Sequence, residues 1–140
     1  MAIESDMLLA GEASGPVLRL DTPISFWGGV DPASGQIVDP RHPQHGASVA
    51  GTVLLVPATV GSSSSSSVLL ELIAQGRAPA AIALGKADAI LCLGAVVATT
   101  MGWSAPPVIA LPVEKQRALE TGAFVRLTAD GVIHTTASAD

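Results

Sequence analysis

Three short, almost wholly apolar runs constrain this chain more than any other feature: "SVAGTVLLVPA" at 48–58, "PAAIALG" at 79–85 and "PPVIALP" at 106–112. A strand with one wet face alternates apolar and polar residues, so an uninterrupted apolar run marks a strand covered on both faces. Between these runs lie segments with a different period. In "SVLLELIAQG" (67–76), Leu69, Leu70, Leu72 and Ile73 form a stripe at helical spacing, and Gly76 suits the C-terminal cap. "KADAILCLGAVVATTMG" reads as a second helix after a Lys86–Asp88 turn. "GPVLRL" (15–20) predicts an earlier strand, and "FVRLTADGVIHT" predicts a hairpin turning at Asp130-Gly131. Strands alternating with helices imply an α/β fold, a parallel or mixed sheet covered by two main helices. The expected organisation is a single domain over 1–140, with 1–14 a candidate flexible N-terminal segment.

The stretch between the first two strands carries many turn signals, among them Gly28-Gly29, Asp31-Pro32, Ser34-Gly35, Asp39-Pro40 and His42-Pro43. Only "GQIVD" suggests a short strand there. A long loop in a compact domain usually serves function.

The sequence is 49% hydrophobic and 14% charged, with mean hydropathy +0.51. Soluble domains average roughly 25% charged residues. No apolar run approaches the roughly 20 residues of a membrane span. The excess is read as core plus a surface that meets another protein. The net charge is −5 and the seven basic residues do not cluster, which argues against nucleic acid. The acidic start "MAIESDMLLAGEAS" lacks the basic region of a secretory signal, so a cytoplasmic location is expected. Cys92 is the single cysteine, in an apolar setting that suits a buried, unreactive thiol. One cysteine cannot hold an iron–sulfur cluster alone.

Six serines, Ser62 to Ser67, follow Gly61. As a linker they would leave about 61 residues before and about 73 after, pieces too small to bury an adequate core. A buried strand leads in and an amphipathic helix leads out. Serine is a strong N-cap, and a helix start presents free N–H groups that favour a carboxylate or phosphate. Two readings stay open on residues alone: an anion-friendly site, or caps without a ligand. There is no lysine for a P-loop and no G-x-S-x-G elbow. His42 and His45 fit loop-bonding or solvated histidines better than metal ligands, and Arg41 fits a surface arginine better than a carboxylate clamp. Phe26 and Trp27 are candidates for a site rim, a subunit interface or plain core.

Three stretches, "SFWGGVDPASGQIVDPRHPQHGASVAG", "GSSSSSS" and "RAPAAIALGKADAILCLGAVVATTMGWSAPPVI", together resemble the swivel domain of the aconitase X family. The likeness covers roughly residues 16 to 112 and implies a swivelling β/β/α domain with a barrel-like core. It implies a hydro-lyase whose swivel domain is the small subunit, partnered by a large catalytic subunit that carries the iron–sulfur cluster. No cofactor is then expected on this chain alone. The expected reaction is dehydration of cis-3-hydroxy-L-proline to Δ1-pyrroline-2-carboxylate, with mevalonate 5-phosphate as the alternative substrate. A non-catalytic swivelling ligand-binding module is the alternative of another class. The family's glycine–serine pair falls on Gly61 and Ser62, making Ser62 the expected proton acceptor. Gly61, Ser63, Ser64, Gly28 and Gly29 are then the expected substrate-binding positions. Archaeal relatives vary after the first serine, where this chain keeps five more.

Overall fold

A computed structural model of the chain describes residues 1–61 and 64–136. Among these, the elements in chain order are β1 (Ala2–Glu4), β2 (Asp6–Leu9), β3 (Ala13–Arg19), the single turn α1 (Phe26–Gly29), β4 (Val53–Val56), α2 (Ser64–Ala74), β5 (Ala81–Leu84), α3 (Ala89–Thr100), β6 (Val108–Ala110), α4 (Val113–Gln116), β7 (Phe124–Leu127) and β8 (Val132–Thr135). The strand order is β1-β8-β7-β3-β4-β5-β6-β2. β3 to β6 run parallel, and β2 closes that side antiparallel to β6.

β3 joins the parallel and antiparallel parts of the sheet. Its first half, Ala13 to Pro16, pairs antiparallel with β7, and its second half, Val17 to Arg19, pairs parallel with β4. The pleat then splits the core. Leu54, Val56, Ile82 and Leu84 point to one face, beneath α2, α3 and the long loop. Val53, Leu55, Ala81 and Ala83 point to the other, against Val125, Leu127 and Ile133 of the antiparallel strands. The layers are therefore β/β/α with a mixed eight-stranded sheet, the fold class expected from the sequence. The runs lack polar positions because both faces of β4 and β5 are buried.

α2 and α3 pack closely. A Cβ on Gly94 would lie 2.4 Å from the Ser66 carbonyl oxygen, so only glycine lets α3 approach this near. Asp88 caps α3, accepting from the N–H groups of Ile90 at 2.9 Å and Leu91 at 3.1 Å.

Two local expectations differ, and one element was not expected. The segment 1–14, a candidate flexible segment, contributes β1, β2 and the start of β3. Ile3 buries itself against the second core, and β1 joins β8 through Ala2↔His134. "GQIVD" forms isolated bridges, Val30↔Ile37 and Gln36↔Ser48, rather than a strand. α4 has no counterpart in the sequence reading; its Gln116 is buried and donates from Nε2 to the carbonyls of Val56 and Leu111, both at 3.0 Å.

Candidate active site

The parallel strands direct their C-terminal ends toward one edge, where open α/β sheets place ligands. β4 ends at Val56, and the chain runs on beside Ile24. The Ile24 N–H donates to the Ala58 carbonyl at 3.3 Å, and the Val60 N–H donates to the Ile24 carbonyl at 2.9 Å. These bonds set the β4–α2 turn against the turn Ser25–Gly29.

Gly61 sits at the junction. Its φ is +124°, a conformation side-chain-bearing residues avoid, and a Cβ there would lie 2.8 Å from Ser25 Oγ and 3.6 Å from Ser65 Oγ. Ser25 Oγ donates to the Trp27 carbonyl at 2.8 Å. Trp27 is exposed, whereas Phe26 is fully buried in the core, so the two aromatics part roles. Gly28 adopts φ +81° at the surface, with open space where a side chain would stand. Gly29 is buried against Ile24. Gly28 thus lies at the same edge as Gly61, while Gly29 serves packing.

The serine run is no tether. Ser64 to Ser67 are the first residues of α2, which continues unbroken to Ala74. Ser65 is buried, Ser64 and Ser66 are half-buried, and Ser67 is exposed. Ser62 and Ser63 lie outside the described residues, so the expected base and one expected contact are placed by sequence alone, between Gly61 and Ser64.

A second support joins the turn to α3. Thr59 Oγ1 donates to Asp88 Oδ2 at 2.5 Å, and the same carboxylate caps α3. Gly85 lies close beneath Pro57, whose carbonyl oxygen would be 2.4 Å from a Cβ there. The β4–α2 and β5–α3 connections are therefore locked together. The sequence marked only a Lys86–Asp88 turn ahead of α3; an aspartate directly before an apolar helix is the signal that points to the cap. Thr59 carries no such signal, because its partner is remote in sequence, and neither does the approach of Ser25 to Gly61.

The other titratable candidates are placed as follows. His42 is buried in the long loop; its Nδ1 accepts from the Gln44 N–H at 3.0 Å, which leaves Nε2–H to donate to the Thr22 carbonyl at 3.2 Å. Arg41 and His45 are exposed. Cys92 is half-buried on α3, and burial, with Asp88 nearby, pushes its thiol pKa up. Among the described residues, no three His, Cys, Asp or Glu side chains converge as a metal site. No helix among them is long and apolar enough to cross a membrane.

The family model for the aconitase X swivel domain matches residues 2–135, and the chain belongs to that family. It is 50% identical over 104 residues to a cis-3-hydroxy-L-proline dehydratase of Pseudomonas aeruginosa, covering 74% of this chain but 18% of that protein. It is 41% identical over 98 residues to the phosphomevalonate dehydratase small subunit of Methanothermobacter thermautotrophicus, covering 70% of this chain and 75% of that one. The chain thus spans about a fifth of the bacterial relative's length and most of the archaeal one's. The crystal structure of holo-form aconitase X from Thermococcus kodakaraensis superposes with TM-score 0.85 at 33% identity, over 97% of this chain and 98% of that chain.

Proposed function

We propose that this chain is the swivel unit of a hydro-lyase that dehydrates cis-3-hydroxy-L-proline to Δ1-pyrroline-2-carboxylate. The observation that carries it is the Gly61–serine turn, buttressed by Ser25, Thr59 and Asp88 at the strand ends of an aconitase X swivel fold. The 50% identity to the Pseudomonas aeruginosa dehydratase supports this substrate over the phosphorylated one.

Elimination removes a proton beside a carboxylate as hydroxide leaves. Ser62 is the proton acceptor in this reading. A serine hydroxyl is a poor base at neutral pH; it accepts the proton as the alkoxide, whose negative charge must be stabilised beforehand. Ser62 stands two residues ahead of Ser64, where α2 begins, so the positive end of the helix dipole favours negative charge nearby. Gly61 and Gly28 bring backbone close to substrate, and Ser63 and Ser64 bind it.

An iron–sulfur cluster does not fit this chain: it has one cysteine, half-buried on α3 away from any converging donor set among the described residues. In this reading the cluster is carried by a large catalytic partner in a cytoplasmic two-subunit enzyme, and no step of this chain runs through it. Co-expression with that large chain, followed by assay of both substrates, tests the reading. The pair should dehydrate cis-3-hydroxy-L-proline, and the Ser62→Ala pair should assemble normally with kcat lower by about 10² or more. Turnover of only mevalonate 5-phosphate would move the assignment to the other substrate. Retention of kcat within about tenfold, roughly 1.4 kcal/mol of barrier, would remove Ser62 from the role.

A further inference from the structure

His42 is a buried histidine that the dehydration proposed above leaves without a part. A neutral imidazole accepts at one ring nitrogen and donates at the other. The accepting Nδ1 faces its own loop, at the Gln44 N–H, while the donating Nε2–H reaches 20 residues back along the chain to the Thr22 carbonyl. Gln44 grips the neighbouring residue. Its Oε1 accepts from the Asp21 N–H at 3.0 Å and its Nε2 donates to Asp21 Oδ2 at 2.8 Å. Earlier in the loop, the Val38 N–H donates to the Gly29 carbonyl at 2.9 Å. The long loop thus holds the segment 21–29 at both ends.

That segment is one wall of the candidate site. Asp21, Thr22 and Pro23 are exposed and belong to no helix or strand, so the bonds from the loop are what fix them. Directly after them, Ile24 exchanges backbone bonds with Ala58 and Val60, and Ser25 packs on Gly61. The bonds of Gln44 to Asp21 are open to water, which can replace them. The His42 ring is buried, so a lost bond there leaves the Thr22 carbonyl without an equivalent donor.

We propose that His42 is a positioning residue for the dehydration: through Thr22 it holds Ile24 and Ser25 against Val60 and Gly61; this rests on the function proposed above. The competing role is purely local, with His42 ordering its own loop through Gln44. The two roles use different ring nitrogens, so two conservative variants separate them. An asparagine amide lies near the place of Nδ1 and still accepts from the Gln44 N–H. A glutamine amide reaches the place of Nε2 and still donates to Thr22.

His42→Asn should speed hydrogen exchange of the Ile24 and Val60 amides in the full chain about threefold or more, read by NMR. In the purified two-chain complex it should lower kcat about tenfold or more while KM stays within about twofold. His42→Gln should restore slow exchange and most of kcat, although it gives up the Gln44 bond. His45→Asn, at an exposed ring in the same loop, should behave as wild type. If His42→Asn does not fold, Gln44→Leu decides instead: by freeing Asp21 it must speed the same two amides and lower kcat, each by about threefold. Unchanged exchange in His42→Asn, or a kcat that falls equally in the asparagine and glutamine variants, overturns the proposal. Faster exchange in His42→Asn, with neither substrate dehydrated by the wild-type pair, would keep the brace and remove the function. Dehydration by the wild-type pair with kcat unchanged in His42→Asn would do the reverse.

Discussion

Gly94→Ala should destabilise this chain, although the same change in a helix interior ordinarily stabilises. Gly94 has ordinary helical geometry, so alanine is free to adopt its backbone, and helix propensity alone would add about 1 kcal/mol. Against that, the new Cβ would stand 2.4 Å from the Ser66 carbonyl oxygen, 3.2 Å from its carbon and 3.3 Å from Leu69 Cβ. A backbone oxygen cannot rotate aside, so α2 and α3 must part by about 1 Å, and overpacking of this kind costs about 1–3 kcal/mol. The net expectation is a loss of about 1 kcal/mol, or about 3–4 °C in melting temperature for a chain this size. Differential scanning calorimetry of the two proteins reads it directly. Because Ser66 lies in the first turn of α2, the same shift displaces the serine turn, and a misplacement of about 1 Å can cost about 10² in rate. A Gly94→Ala protein that melts at or above the wild-type temperature would show slack between the helices and refute the reasoning.

Three further outcomes are expected. Gln116→Leu removes the donor to the Leu111 carbonyl, while Val56 keeps its bond from the Gly85 N–H at 2.8 Å; urea unfolding should show a loss of about 1–3 kcal/mol. Thr59→Val keeps the shape but breaks the bond to Asp88, which should lower stability by about 1 kcal/mol in the same assay and, in the assembled enzyme, reduce kcat more than it changes KM. Cys92 should label slowly with iodoacetamide at neutral pH, faster only as pH rises past the ordinary thiol range, because its raised pKa keeps the thiol protonated; rapid labelling at pH 7 would contradict that.

The parallel strands and both main helices were legible because their burial is two-sided or periodic, and such patterns survive in a window of a few residues. β1 and β2 were not, since they are short edge strands with one or two inward residues each. Their partners, β8 and β6, lie far along the chain. α4 follows Pro112 for a single turn, too short for any period to show. At the site, the serine run could be placed because its flanks were readable. The contacts that shape it, Ser25 on Gly61 and Thr59 on Asp88, join residues about 30 or more apart and leave no local trace.

The double membership of β3 bears on how the chain assembles. Its parallel half needs β4, which follows soon after, but its antiparallel half needs β7, which is made near the end. On a ribosome, β4, β5, β6 and their helices can therefore settle around the serine turn first. The second core, with Val125 and Ile133, stays unfinished meanwhile. Until the final hairpin arrives, the Ala13–Pro16 edge of β3 is an unpaired template for a neighbouring nascent chain, and wrong pairing during synthesis should begin there.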